Sequence, residues 1–103
     1  MIDTLNINFH DAQILFVTED TLSDTLVMDV DYPIDYSESK YEKRRLIFKD
    51  AFNYQVHEQP FAGSPSILLV KVIEEENEWG WIRFRLETNA GFREISCKDI
   101  ELR

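Results

Sequence analysis

The residues of this chain that could do chemistry are few, and their spacing argues against most of the reactions they could support. His10-Asp11 offers an imidazole and a carboxylate, both ordinary metal ligands, but metal-dependent hydrolysis needs further His and Asp side chains, and His57 is the one other histidine. Nucleophilic catalysis would use Cys97 or a serine beside a histidine. Cys97 falls on the apolar parity of a strand, and no Gly-x-Ser-x-Gly elbow occurs. With Gly63, Gly80 and Gly91 as the only glycines, no loop can cradle a phosphate. Twenty Asp and Glu residues make any pair of carboxylates uninformative. The sequence therefore reads as a non-enzyme with no catalytic residue, no metal and no cofactor. Asp11 is expected to accept backbone N–H bonds in a turn, and His10 to fill a half-buried site.

Surfaces say more than reactive groups. A formal charge of −9 and a pI near 4.6 disfavour nucleic acid and anionic membrane as partners and favour a cationic protein. Residues 1 to 39 hold nine acids and no Lys or Arg, which predicts a one-signed surface over the N-terminal third. Within it, Asp29, Asp31, Asp35 and Glu38 surround Tyr32 and Tyr36, a Tyr/Asp mixture suited to a basic protein. A second acidic set, Glu74, Glu75, Glu76 and Glu78, adjoins Trp79 and Trp81. Carboxylates there would speed encounter with a cationic surface while the indoles supply buried area.

The elements that position these groups read as strands. Ile82, Phe84 and Leu86 alternate with Trp81, Arg83, Arg85 and Glu87, the period of a strand with one buried face. Thr88-Asn89-Ala90-Gly91 closes a hairpin in which Glu87 meets Phe92. That register sets Phe84 against Ile95, Ile82 against Cys97, Arg85 against Glu94 and Trp81 against Lys98, whereas a one-residue slip scrambles both faces. A turn at Glu76-Asn77-Glu78 would add the run Ile67–Ile73, with Val72 opposite Ile82, Val70 opposite Phe84 and Leu68 opposite Leu86. Ile67, Leu69, Ile73, Trp79, Trp81 and Phe92 then share the other face with Lys71, Arg83, Arg85 and Glu94.

Earlier in the chain, Leu5, Ile7 and Phe9 predict a first strand, and Ile14–Val17 a second. Leu26, Met28, Val30 and Tyr32 give a third, which Pro33 is expected to end. Residues 34 to 43 read as a loop or single helical turn. Leu46 to Val56 forms one bent strand or two short ones, and the Ala62–Pro65 cluster a turn. Ile95 and Cys97 share one parity while Ile100 and Leu102 share the other, which predicts a bulge near Lys98-Asp99. The sum is a single all-β domain over residues 1–103, an antiparallel β-sandwich or partly closed barrel of about seven strands, ending in a three-strand meander. The lone Cys97 and the opening Met1-Ile2-Asp3, without a basic n-region or a long apolar run, lead one to expect a cytoplasmic protein.

Three stretches carry a resemblance. Asn8-Phe9-His10-Asp11-Ala12-Gln13-Ile14, Leu46-Ile47-Phe48-Lys49-Asp50-Ala51-Phe52, and Phe84–Glu87 with Ile95–Leu102 resemble small bacterial immunity proteins that accompany polymorphic or contact-dependent toxins. The resemblance implies an antitoxin that binds a cognate basic toxin, often a nuclease, by direct protein contact. It transfers no binding residues, because such families meet their toxins through variable surfaces. The candidate contacts come instead from the two acidic sets above. Such an antitoxin is expected to be a monomer or weak homodimer, and two other classes fit the composition: a carbohydrate-binding module stacking on Trp79 and Trp81, and a self-associating structural subunit that completes its sheet with another copy.

Overall fold

The computed structural model describes residues 7–74 and 77–103. They form eight strands: β1 Gln13–Asp20, β2 Thr25–Asp35, β3 Lys40–Lys49, β4 Phe52–Glu58, β5 Ile67–Glu74, β6 Ile82–Thr88, β7 Gly91–Cys97 and β8 Asp99–Leu102. Two antiparallel four-stranded sheets, ordered β1-β2-β3-β8 and β4-β7-β6-β5, face each other as an open β-sandwich rather than a barrel. Among the described residues no helix is long and apolar enough to cross a membrane.

The core is the inner face of both sheets. Leu26, Met28, Val30, Leu46 and Phe48 from one side meet Ile82, Phe84, Leu86, Ile95 and Cys97 from the other, all buried. Burying an apolar side chain of this size stabilises by about 1.5–3 kcal/mol, so period-2 alternation on both sheets is the main source of the fold. The β6–β7 register matches the alternation: Ile82 pairs with Cys97, Phe84 with Ile95, Arg85 with Glu94 and Glu87 with Phe92. Thr88 also pairs with Gly91, which leaves a two-residue connection, Asn89-Ala90.

Several expectations fail for identifiable reasons. The β5–β6 register lies two residues from the expected one: Val72 faces Phe84 and Val70 faces Leu86. The connection is longer than a tight turn because the Asn77 side chain organises it, its Oδ1 accepting the N–H groups of Trp79 at 2.9 Å and Trp81 at 3.1 Å. A bulge at Leu68 turns Ile67 into the core, where it is fully buried, rather than onto the outer face. β2 runs through Pro33 to Asp35, because past the Gln13–Asp31 pair it has no β1 neighbour and is an edge, which tolerates proline.

Residues 34 to 43 are likewise not a loop. They are the β2–β3 hairpin, whose turn is built by Asp35 Oδ1 accepting from Ser37 N at 2.9 Å and Glu38 N at 3.3 Å, with Ser39 at φ 52°. Of the expected first strand, Leu5 lies outside the described residues, while Ile7 and Phe9 pack on the core without joining a sheet. His10 is exposed rather than half-buried, and Asp11 takes a left-handed φ of 65°. The parity change between Cys97 and Ile100 is not a bulge. It marks the point where the chain leaves one sheet for the other, since β7 pairs with β4 and β6 while β8 pairs with β3.

Candidate functional site

The expected one-signed surface over the N-terminal third is broken along β2, where β3 supplies cations. In the β2–β3 ladder Asp29 faces Arg45, Asp31 faces Lys43 and Asp35 faces Lys40, so each acid meets a cation across the strands. The Arg45 Nε donates to Asp29 Oδ1 at 3.2 Å, and Lys40 Nζ lies 2.6 Å from Glu38. Tyr32 packs against the core beneath the Arg44 guanidinium. Tyr36 is exposed, but its hydroxyl donates to the His10 carbonyl at 3.0 Å. These six candidates sit near one another on the β2–β3 hairpin, yet most are already engaged.

The other set divides. Glu75 and Glu76 lie outside the described residues; Glu74 and Glu78 are exposed. Trp79 is 67% exposed and is the most open aromatic side chain of the described residues. Trp81, two positions on, is half-buried and held three ways. Its Nε1 donates to the Asp50 carbonyl at 2.9 Å, Phe52 meets it edge-on with ring centroids 5.5 Å apart, and Lys98 Nζ stands 4.5 Å from its centroid. One half of the expected stacking pair is therefore structural.

Those contacts make a place that sequence spacing does not reveal. Trp81 ties the β5–β6 loop to the turn between β3 and β4, and Ala51 N donates to the Asp24 carbonyl at 2.7 Å, tying that turn to the β1–β2 hairpin. Asp24 and Asp50 both adopt φ 52°, a conformation Asp tolerates better than most residues. The result is one end of the sandwich with two hollows that share Asp24 and Phe52: Glu19, Asp20 and Tyr54 line one, and Asp50 and Trp81 the other. Among the described residues none of these four acids forms an ion pair, and Phe52 is half exposed. Asp20 is held below the usual carboxylate range by its bonds from Ser23 and Leu22.

The outer face of the second sheet carries a charge ladder rather than an open patch. Glu94 binds Arg85 at 2.7 Å and Arg83 at 3.4 Å, and Arg85 chiefly holds its carboxyl down. Arg83, on this face opposite the core, is buried. The start of β4 folds over it, and its Nη1 donates to the Asn53 carbonyl and to Ser96 Oγ. Arg85 stands 4.4 Å from the Phe92 centroid, and His57 stacks on Phe92.

Inside the sandwich, the Arg93 guanidinium binds Glu58 and Tyr54, while the Thr88 hydroxyl donates to Glu58. Sequence reasoning passed over this network. Its signal was present, since Arg93 has the parity of Ile95 and Cys97. Among the described residues no group of three His, Cys, Asp or Glu could hold a metal.

The chain matches no family model and no curated protein.

Proposed function

We propose that this protein is an immunity protein that neutralises a cognate basic toxin domain, nuclease-like in its cationic surface, by direct contact at the acidic aromatic end of the sandwich. The observation that carries the reading is the pairing of carboxylates without cation partners, Asp24 and Asp50, with the half-exposed Phe52 and with Trp81, two residues beyond the exposed Trp79. Asp29, Glu42, Glu58, Glu87, Glu94 and Glu101 instead sit in ion pairs, so this end adds unpaired negative charge where aromatic area is also open. Aromatics framed by charge are the composition of interface hot spots, and unpaired carboxylates steer a cationic partner toward them. The resemblance of Asn8–Ile14, Leu46–Phe52 and the C-terminal strands to bacterial immunity proteins supports the same class.

The test is co-expression with the toxin gene expected beside this one, followed by purification of the pair. Protection of cells and a one-to-one complex are expected. Reversing Asp24 and Asp50 to lysine should slow association by about tenfold or more and flatten its salt dependence, and Trp79→Ala should weaken binding about 30-fold. Reversing Asp29 and Asp31, which face Arg45 and Lys43 across the ladder, should do less. Equal effects of the two reversals would place the contact on the wrong face, and absence of both complex and protection would end the immunity reading.

A further inference from the structure

We propose that Leu22, at the tip of the β1–β2 hairpin, is the anchor that enters an apolar recess on the cationic partner, a recess rimmed by lysine or arginine. The inference rests on the toxin-binding reading of the acidic end and names what that end inserts.

Leu22 is 96% exposed, the most open large apolar side chain of the described residues. It stands in the connection Thr21-Leu22-Ser23-Asp24, which joins β1 to β2 beyond the Asp20–Thr25 pair. Turn positions favour Gly, Pro, Asn, Asp and Ser, each for a backbone reason, and leucine supplies none of them. A scattered exposed leucine is ordinary on a protein surface, but this one is held out on a turn fixed from several sides.

Asp20 Oδ1 accepts from Leu22 N at 3.0 Å and from Ser23 N at 3.4 Å. The Ser23 hydroxyl donates to Thr25 Oγ1 at 3.0 Å, and the Thr25 hydroxyl donates back to the Ser23 carbonyl at 3.2 Å. The Asp24 carbonyl accepts from Ala51 N at 2.7 Å, which ties the tip to the turn between β3 and β4. These bonds fix the Leu22 backbone and leave its side chain in water. An apolar group presented on an ordered backbone costs less further ordering when a partner buries it.

The surroundings select the partner. Glu19, Asp20 and Asp24 flank Leu22, and Thr21 and Asp24 line the same hollow as the half-exposed Phe52. Burying Leu22 therefore brings carboxylates against whatever surrounds the recess. An anionic membrane surface would repel them, and a second copy would bring a further charge of −9. A cationic protein offers both parts, an apolar recess for the leucine and positive charge at its rim.

The experiment measures association and dissociation rates of the full chain with the toxin domain expected to be encoded beside it, in about 0.05 M and about 0.5 M salt, together with the melting temperature of each variant. Leu22→Asn, which a turn accepts, should weaken binding by about tenfold or more through faster dissociation. That deficit should persist in high salt, because an apolar contact is not screened. Leu22→Met should stay within about threefold of wild type. Neither variant should lower the melting temperature, since the side chain is in water. Reversal of Asp24 and Asp50 should instead slow association, with an effect that fades in high salt. A complex weakened by those reversals but not by Leu22→Asn would overturn this proposal and leave toxin binding standing, whereas absence of any complex would overturn both. A Leu22→Asn deficit that vanishes in high salt, or one matched by a fall in melting temperature, would also overturn it.

Discussion

Arg93 grips Glu58 with one edge of its guanidinium, Nε to Oε2 at 2.8 Å and Nη2 to Oε1 at 2.8 Å. Both side chains are nearly out of water, 12% and 11% exposed. The pair sits where the β7 alternation would place an apolar residue, opposite Leu86. It persists there because every lone pair and proton facing inward is met: Tyr54 accepts from Nη1 at 3.0 Å and Thr88 donates to Glu58 at 3.1 Å. Such a bidentate pair ties β4 to β7 in one register only.

Breaking the pair from one side should therefore be costly. Arg93→Met leaves an uncompensated carboxylate among apolar neighbours, and Glu58→Gln a guanidinium without its charge partner. Each is expected to lower unfolding free energy in urea by about 3–5 kcal/mol. The double variant Arg93→Met with Glu58→Met should recover most of that loss, because an apolar pair carries no desolvation penalty. A double variant as weak as the sum of the singles would show the two residues acting independently.

The same pair sets an acid dependence. Burial alone pushes the Glu58 carboxyl up, but the hydrogen bonds and charge of Arg93, with the Thr88 hydroxyl, outweigh it and hold the carboxyl below its ordinary 4.5. A carboxyl depressed in the folded state contributes stability that is complete above its unfolded pKa and lost as pH falls through the folded value. Glu101, held to about 2 by Arg103 and Lys49, acts in the same direction at the surface. Melting temperature should accordingly drop as pH falls below about 4.5, and Glu58→Gln should flatten the slope there. An unchanged slope in that variant would remove Glu58 from the acid transition.

Gly91 is fixed by its neighbour rather than by its own turn. A Cβ built on it would stand 2.2 Å from the His57 carbonyl oxygen of β4, a backbone atom that cannot move aside, and φ is 149°. Gly91→Ala should cost at least about 2 kcal/mol and loosen β4 from β7, exposing the Arg93–Glu58 pair to solvent. Hydrogen exchange of the β4 amides would report this, and protection equal to wild type would contradict it.

What could be read from sequence, and what could not, divides along physical lines. The β6–β7 register was legible because both strands alternate and a slip would bury Ser96 and Lys98 in place of Ile95 and Cys97. The β5–β6 register was not, because the length of its connection depends on Asn77 binding two backbone amides, a tertiary detail. The β2–β3 hairpin was hidden by its polarity: KYEKRR reads as loop until Asp29 and Asp31 are placed opposite Arg45 and Lys43. That same pairing sets cations opposite Asp29, Asp31 and Asp35, three of the acids chosen for binding. Trp79 was legible as an aromatic without a structural partner. Asp24 and Asp50 were not, because only the Ala51–Asp24 hydrogen bond brings their two turns together.

Cys97 supplies a final prediction, on reactivity. The thiol is fully buried against the core of both sheets, and burial, reinforced by the Asp99 charge, pushes it up to about 12. At pH 8 roughly one molecule in ten thousand would carry the thiolate even if a reagent could reach it. Native protein should therefore resist a disulfide reagent for hours, and label stoichiometrically once urea unfolds it. Because labelling requires opening of β7, its rate in native buffer reads local stability, and Gly91→Ala and Arg93→Met should both accelerate it. Prompt labelling of the wild-type protein would mean that the sheets part at β7 far more often than this packing allows.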